Sequence, residues 1–383
     1  MAPSGGLSHL SDRFIERLDL VDTLKAQVQL EVVTVDARPK RALLDVTSRE
    51  LADWMRTEGF PTFHAKQVLR WVFDRRADSF EQMTDLPRRL RDRLSEAWSV
   101  FGTEPTYHHV SPDGTDKLLL SCTDGRRIEC VLMAEDDRRT VCISTQVGCG
   151  MGCVFCASGL KGVERNLTRG EILEQVVRLR NLLPLNETIT NVVVMGMGES
   201  LANLDHLLAA LDRLCSSEGL GLSQRRVTIS TVGLPEKMRV LASLGKHYHL
   251  AVSLHAPTES LRNELVPINE KVGLNAVVAA ADAYFQSSGR QVTFEYVLLR
   301  GINDRVEDAQ ALGRLLESRK AHVNVIPYNP VPTLPYERPT PAAIQRFVSI
   351  VRGRGVSISV RKTKGREIDA ACGQLRRRFD EQA

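Results

Sequence analysis

The chain lacks any apolar run close to the ~18 residues that a membrane span requires, so no spanning segment is expected. The opening Met-Ala-Pro-Ser-Gly-Gly shows no charged-then-apolar secretion pattern, so a cytoplasmic location is expected. The chain has no repeat of fixed period. It also lacks a large charge imbalance, because 51 Lys+Arg against 47 Asp+Glu leave only +4. Apolar residues at 43% and charged residues at 26% are ordinary globular fractions, which excludes wholesale disorder and collagen-like architecture. At 383 residues, two domains are the natural expectation, each long enough to bury a core.

Charge and sulfur are unevenly placed. Between Arg352 and Arg378 nine Lys/Arg stand against two acids, Glu367 and Asp369. Such a cluster fits either a solvated face or a polyanionic partner such as nucleic acid. Eight cysteines occur, and three of them fall within eight residues. Without an export signal this crowding points to metal or redox chemistry rather than to a disulfide framework.

Residues 1–47 read as an N-terminal extension with a weak helical pattern near Phe14–Val28 and no motif. Residues 48–104 read as a helical accessory domain. Thr47 or Ser48 caps its first helix, Gly59-Phe60-Pro61 breaks it, Ala65–Phe73 forms the second, and Leu86-Pro87 starts a third bearing Arg88, Arg89, Arg91 and Arg93. Its basic edge fits either docking or RNA contact. Residues 105–135 read as a β-ribbon linker, with turn chemistry at Ser111-Pro112-Asp113-Gly114 and Thr123-Asp124-Gly125. Residues 136–383 alternate. β-Branched runs at Val141–Thr145, Asn191–Met195, Arg226–Thr231, His249–Ser253, Val292–Leu298, His322–Ile326 and Val356–Val360 are separated by helical stretches. That pattern predicts a parallel sheet in a full or partial barrel, with functional residues at the C-terminal ends of strands and a basic C-terminal tail.

Cys149-Gly150-Met151-Gly152-Cys153-Val154-Phe155-Cys156 is C-x3-C-x2-C, directly after the first barrel strand. Three thiolates on one tight loop suit a cubane iron–sulfur cluster whose fourth iron stays open to a small molecule. Structural zinc sites usually close with four ligands, and no second cysteine pair exists here. A zinc site or buried thiols remain the alternatives at this level.

The C-x3-C-x2-C run with an aromatic before its last Cys resembles the radical S-adenosylmethionine superfamily. A wider set is similar to the RlmN/Cfr family of RNA methyltransferases: Cys142–Cys149, Arg165-Asn166-Leu167, Met195-Gly196-Met197-Gly198-Glu199, Ser253-Leu254-His255, and Ile368–Leu375. The resemblance spans about Ser48 to Leu375 in the family's order. It implies an α/β fold, a partial (β/α)6-type radical S-adenosylmethionine barrel with a small N-terminal helical domain and a β-ribbon linker. It implies a 4Fe–4S cluster on Cys149, Cys153 and Cys156. The resemblance also implies an S-adenosylmethionine pocket formed by Gly198, Glu199, Ser230, Ser253, Leu254, His255 and Asn329, although Ser200 stands where the family often has Pro.

For Cys372 the resemblance implies a methyl carrier. One S-adenosylmethionine methylates its sulfur; a second yields the 5′-deoxyadenosyl radical that takes a hydrogen from that methyl. Cys142 is implied as the thiol that releases the resulting RNA adduct by a transient disulfide, and Glu129 as the proton acceptor. Read without the family, Cys142 is a buried strand cysteine, Cys372 an inert thiol near cations, His255 as readily a structural histidine as a functional one, and Glu129 a solvent-facing strand carboxylate. Cys122, Cys130 and Cys215 read as packing thiols. The implied reaction is methylation of carbon 2 of adenosine 2503 in 23S rRNA, with adenosine 37 of tRNA as a second candidate. Carbon 8 of the same adenosine, as in the Cfr branch, is the alternative. The implied partners are RNA and an external electron donor of flavodoxin type, acting on a monomer. An enzyme with a small-molecule substrate and a zinc-bound RNA-binding protein are the rivals from other classes.

Overall fold

A computed structural model describes residues 40–375. The helical pattern near Phe14–Val28 and the basic residues Arg376, Arg377 and Arg378 lie outside them. Three helices come first: α1 (Ser48–Thr57), α2 (His64–Phe73) and α3 (Arg88–Ala97). Thr47, not Ser48, caps α1. Its hydroxyl accepts from the Glu50 N–H at 3.1 Å while the Glu50 carboxylate accepts from the Thr47 N–H at 2.7 Å. Leu51, Met55, Val68, Val72, Leu90 and Leu94 turn inward at helical spacing and are fully buried. They belong to the same apolar core as the outer face of the barrel.

Four antiparallel strands follow, β1 (Thr103–Ser111), β2 (Thr115–Cys122), β3 (Arg127–Glu135) and β4 (Arg138–Cys142). From β4 onward the chain alternates: α4 (Arg169–Asn181), β5 (Asn191–Val194), α5 (Leu204–Cys215), β6 (Val227–Thr231), α6 (Pro235–Ser243), β7 (His249–Ser253), α7 (Glu259–Leu265), α8 (Leu274–Ser288), β8 (Val292–Leu298), α9 (Val306–Leu316), β9 (Ala321–Pro327), α10 (Pro341–Gly353) and β10 (Ser357–Val360). All ten strands form one sheet in the order β10-β9-β8-β7-β6-β5-β4-β3-β2-β1, parallel from β4 to β10. The ribbon is thus continuous with the barrel sheet through β4. Among the described residues no helix is long and apolar enough to cross a membrane.

Burial alternates along the parallel strands. In β5, Val192 and Val194 are buried against helices while Asn191 and Val193 are half-exposed; in β9, Val323 and Val325 are buried while His322 and Asn324 are not. A parallel strand covered on both faces is usually apolar throughout. Here the inner face lines an open cavity instead, so the apolar core lies between sheet and helices. The first barrel strand ends earlier than its β-branched run suggests. Ser144 leaves the ladder because the Gln175 side chain takes both its backbone groups, the N–H at 2.7 Å and the carbonyl at 3.0 Å.

A buried carboxylate fixes the ribbon to α4. Glu174 accepts from the N–H groups of Gly102 at 2.6 Å and Thr103 at 2.8 Å, and from the Thr103 hydroxyl at 2.7 Å. Glu174→Ala is expected to leave two backbone donors unpaired and to lower stability by roughly 2–4 kcal/mol. The shift in denaturant midpoint measures it.

Candidate active site

The strand pair Gln146–Gly148 and Val163–Asn166 frames the loop that carries Cys149, Cys153 and Cys156. Gly148 has φ +78°, and a Cβ there would fall 2.0 Å from the Gly162 carbonyl oxygen, so only glycine fits. The Cys149 N–H donates to that same carbonyl at 2.9 Å. All three thiols are partly buried. Burial lifts Cys149 to about 12, and the nearby Cys156 adds to it. Burial also raises Cys153 and Cys156, again with neighbouring cysteines contributing. Thiols this hard to ionise need an electropositive metal to become thiolates. Among the described residues no three His, Cys, Asp or Glu side chains converge on one ion position. A closed structural zinc site takes four protein ligands and the loop offers three thiols, whereas three thiolates that each hold a different iron of a cubane leave the fourth iron open. The donor set fits the cluster.

Across from this loop, Met195-Gly196-Met197-Gly198-Glu199 follows β5. Gly198 has φ +103°, and a Cβ there would meet the Gln146 Cβ at 2.6 Å. The Glu199 N–H donates to the Gln146 side chain at 2.8 Å. Its buried carboxylate accepts from the N–H groups of Val232 at 2.7 Å and Leu201 at 3.0 Å; burial still raises its pKa. Ser230 stands near the end of β6 and Ser253 ends β7, both half-buried; Leu254 is fully buried beside them. His255 adopts φ +59° and stacks edge-on against Phe155 of the cysteine loop at 4.9 Å. Its Nδ1 accepts from the Val297 N–H at 3.1 Å, which leaves the ring proton on Nε2. Burial, then Arg262, pulls its pKa down to about 3, so it stays neutral at physiological pH.

Two residues that hold this group together carry no signal in the sequence. Arg262, with no exposed surface, donates to the carbonyls of Leu254 at 3.1 Å, Ser253 at 3.1 Å and Val232 at 2.5 Å. Asn303 donates to the carbonyls of His255 and Val297, both at 2.8 Å. Each resembles an ordinary helix or turn residue until the fold brings distant carbonyls to it.

Cys372 lies in the loop after β10, and that loop is clasped on three sides. The Gly365 N–H donates to the Asp113 carboxylate at 2.8 Å in the β1–β2 turn. On the cysteine loop, the Ala157 N–H donates to the Gly373 carbonyl at 2.9 Å and the Ser158 hydroxyl to that of Leu375 at 2.7 Å. After β9, the Asn329 side chain donates to the Cys372 carbonyl at 3.3 Å. Cys142, the last residue of β4, is buried; burial, then the adjacent Cys372, lifts its thiol to about 12. Cys142, Cys372, Asn329, Glu295 and Arg361 all line one cavity of about 890 Å³. Cys372 is the foremost cause of the raised pKa of Arg361, which also donates to the Met195 sulfur at 3.6 Å.

Glu129 is not the solvent-facing carboxylate that a bare strand reading allows. It is 3% exposed and pairs with the buried Lys117 ammonium at 2.9 Å; Lys117 also donates to the Asp369 carbonyl at 3.4 Å, three residues before Cys372. The site residues thus fall into two groups. Gly198, Glu199, Ser230, Ser253, Leu254 and His255 gather beside the cysteine loop and do not line the cavity; Cys142, Cys372 and Asn329 do. Glu129 is outside the lining and reaches the second group through Lys117. Cys122 and Cys130 are buried, whereas Cys215 is only half-buried. Gly148→Ala is expected to cut the iron retained per chain after anaerobic reconstitution by at least fivefold, measured by metal analysis and visible absorbance.

Residues 41–100 match the family described as ribosomal RNA large subunit methyltransferase N-terminal domain, and residues 143–312 match the radical SAM superfamily. A probable dual-specificity RNA methyltransferase RlmN of Rhodopirellula baltica is 54% identical over 338 residues, covering 88% of this chain and 91% of the relative. Its counterpart in Symbiobacterium thermophilum is 46% identical, covering 88% and 92%. The crystal structure of a radical SAM methyltransferase from Sphaerobacter thermophilus has a TM-score of 0.85 at 42% identity, covering 88% of this chain and 99% of that one. The chain belongs to the RlmN family of radical S-adenosylmethionine RNA methyltransferases, which use a 4Fe–4S cluster and S-adenosylmethionine.

Proposed function

We propose that the chain methylates carbon 2 of adenosine 2503 in 23S rRNA, and adenosine 37 in tRNA, through a methylated Cys372. The observation that carries the reading is that Cys142 and Cys372, far apart in sequence, face one cavity beside the cysteine loop. The relatives' names speak of dual specificity and of RlmN, which favours two RNA substrates and disfavours the carbon-8 alternative. Cys149, Cys153 and Cys156 would hold the cluster. Gly198, Glu199, Ser230, Ser253, Leu254, His255 and Asn329 would hold S-adenosylmethionine. When bound, these groups supply a methyl group and one-electron chemistry. A flavodoxin-type donor, a monomeric chain and a cytoplasmic location complete the reading.

Carbon 2 of adenine is an amidine-like, electrophilic position and does not attack a methyl sulfonium. A carbon-centred route avoids that mismatch, and it requires a sulfur that carries the one-carbon unit. Cys372 is placed for this, with the Arg361 guanidinium beside it in the same cavity. Addition of a carbon radical leaves one unpaired electron on the ring, so carbon 2 gives up one electron, to the cluster on Cys149, Cys153 and Cys156, as well as its proton. Glu129, paired with Lys117 at 2.9 Å and linked through it to the Cys372 loop, is the assigned proton acceptor. Cys142 then attacks the Cys372 sulfur. The sulfur–sulfur bond forms and the sulfur–carbon bond breaks. Its electron pair passes to the methylene carbon, which takes up the proton given by the Cys142 thiol and becomes the methyl group. One dithiol is oxidised to a disulfide for each methyl released. The target base must leave its stack to reach the cavity.

The reading is tested with anaerobically reconstituted protein, S-adenosylmethionine, a reductant, and protein-free 23S rRNA or tRNA, with nucleosides analysed by mass spectrometry. 2-Methyladenosine is expected from both RNAs; 8-methyladenosine alone, or no methylated adenosine, overturns the assignment. Cys372→Ala is expected to lower product below detection, and full methylation by that variant would remove the carrier role. Cys142→Ala is expected to accumulate protein cross-linked to RNA, visible as a shifted band on denaturing gels. Clean turnover without an adduct contradicts the resolving role.

A further inference from the structure

The cavity that holds Cys142 and Cys372 does not stop at the C-terminal ends of the strands. Its lining runs back to the first residues of β4, β5 and β7, which are Arg138, Asn191 and His249, and to Arg225 and Arg226 just before β6. Between the two ends the wall is polar, with Thr140, Thr228, Thr293 and Asn324 facing inward. At about 890 Å³ it lies within the roughly 300–1,000 Å³ range of ligand pockets. The interior is therefore a polar passage from the strand-start end of the barrel to the two cysteines.

The rim of that end carries cations without carboxylate partners. Arg138, Arg225 and Arg226 are exposed, and among the described residues none of the three takes part in an ion pair. The other charges nearby are largely engaged. Glu135 pairs with Lys362 at 3.6 Å, Arg290 bonds the His249 ring at 2.5 Å, and Arg139 pairs with Glu187. Asp136 and Asp137 sit in the turn before Arg138, and Asp137 acts on Arg139. The basic edge of α3 is different. Arg93 pairs with Glu58 and Glu96, Arg91 donates to the Glu81 carbonyl, and Arg88 stands 4.0 Å from Asp92. Arg91 and Arg93 are thus occupied within the protein. Arg88 and Arg89 stay exposed beside a carboxylate at 4.0 Å and the Phe60 ring, and the three at the barrel rim are open to an external anion at the mouth of the passage.

We propose that the strand-start end of the barrel is the RNA entrance, with Arg138, Arg225 and Arg226 as its phosphate-binding rim and the polar passage admitting the extruded adenosine toward Cys372. The proposal rests on RNA being the substrate, and it adds the face by which RNA approaches. Guanidinium groups suit this role because their planar fork matches phosphate oxygens. The nucleotides next to the target would lie across the rim while one base enters.

The test measures binding of an unmodified tRNA transcript and of protein-free 23S rRNA to the full chain across a salt series. In the Arg138→Ala/Arg225→Ala/Arg226→Ala variant, affinity is expected to fall roughly tenfold or more at low salt. The slope of log affinity against log salt should become shallower by about 2, at roughly 0.7 per phosphate contact on single strands. An unfolding midpoint matching the parent shows that the fold is kept, and Lys at the three positions should restore most of the slope. Parental affinity and slope in the triple Ala variant, with the loss appearing instead in Arg88→Ala/Arg89→Ala, overturns the entrance. A parent chain that binds and methylates neither RNA overturns the RNA reading itself, a failure distinct from the first.

Discussion

The hydrogen bond from the Ala157 N–H to the Gly373 carbonyl, at 2.9 Å, ties the three-cysteine loop to the loop that carries Cys372. The Ser158 hydroxyl reinforces it by holding the Leu375 carbonyl, 217 residues further along the chain. Without this clasp, Cys372 would sit on a solvent-facing tail after the last strand, with no fixed relation to Cys142. With it, two sulfurs, a guanidinium and the cysteine loop share one small volume. The acceptors in the clasp are backbone carbonyls, so the position of Cys372 is set by main-chain geometry and does not depend on the rotamer of the reacting side chain.

A second constraint is the division of labour between the two faces of the sheet. Outward-facing Val192, Val194, Val323 and Val325 bury against helices, each removing apolar surface worth about 2 kcal/mol. Inward-facing Asn191, Thr228, Thr293 and Asn324 contribute little to that core. The barrel therefore stands on its outer layer alone. This frees the interior to be polar, and a polar interior can admit a charged nucleotide.

Much of this was legible before the fold was known, for identifiable reasons. The cysteine loop stands out because a tight C-x3-C-x2-C has few alternative explanations, whereas Cys372, a lone cysteine, is singled out only by the family resemblance. Strands such as His249–Ser253 and Val292–Leu298 are readable because their β-branched residues are bounded by helical periodicity. Arg262, Asn303 and Lys117 were invisible. Each is a polar residue that joins partners on different elements, such as Val232 to Arg262, His255 to Asn303 and Asp369 to Lys117, and no local pattern encodes such a meeting. Glu129 shows the same limit: the bare strand reading makes it solvent-facing, and only the family resemblance implies a proton acceptor, whereas its burial and its 2.9 Å partner come from the register of β2 against β3. The end of β4 was misjudged because a side chain on α4, Gln175, outcompetes the ladder at Ser144.

The clasp has a further consequence in time. The contacts that seat the Cys372 loop reach back 252 residues, from Gly365 to Asp113 and from Asp369 to Lys117. Contacts of such separation form late, because the intervening chain must first give up its freedom. On a ribosome the cysteine loop and most of the barrel emerge well before the segment that bears Cys372. The order of synthesis thus separates assembly of the barrel from the arrival of Cys372, the proposed carbon carrier, so that an incomplete chain has the framework without that thiol.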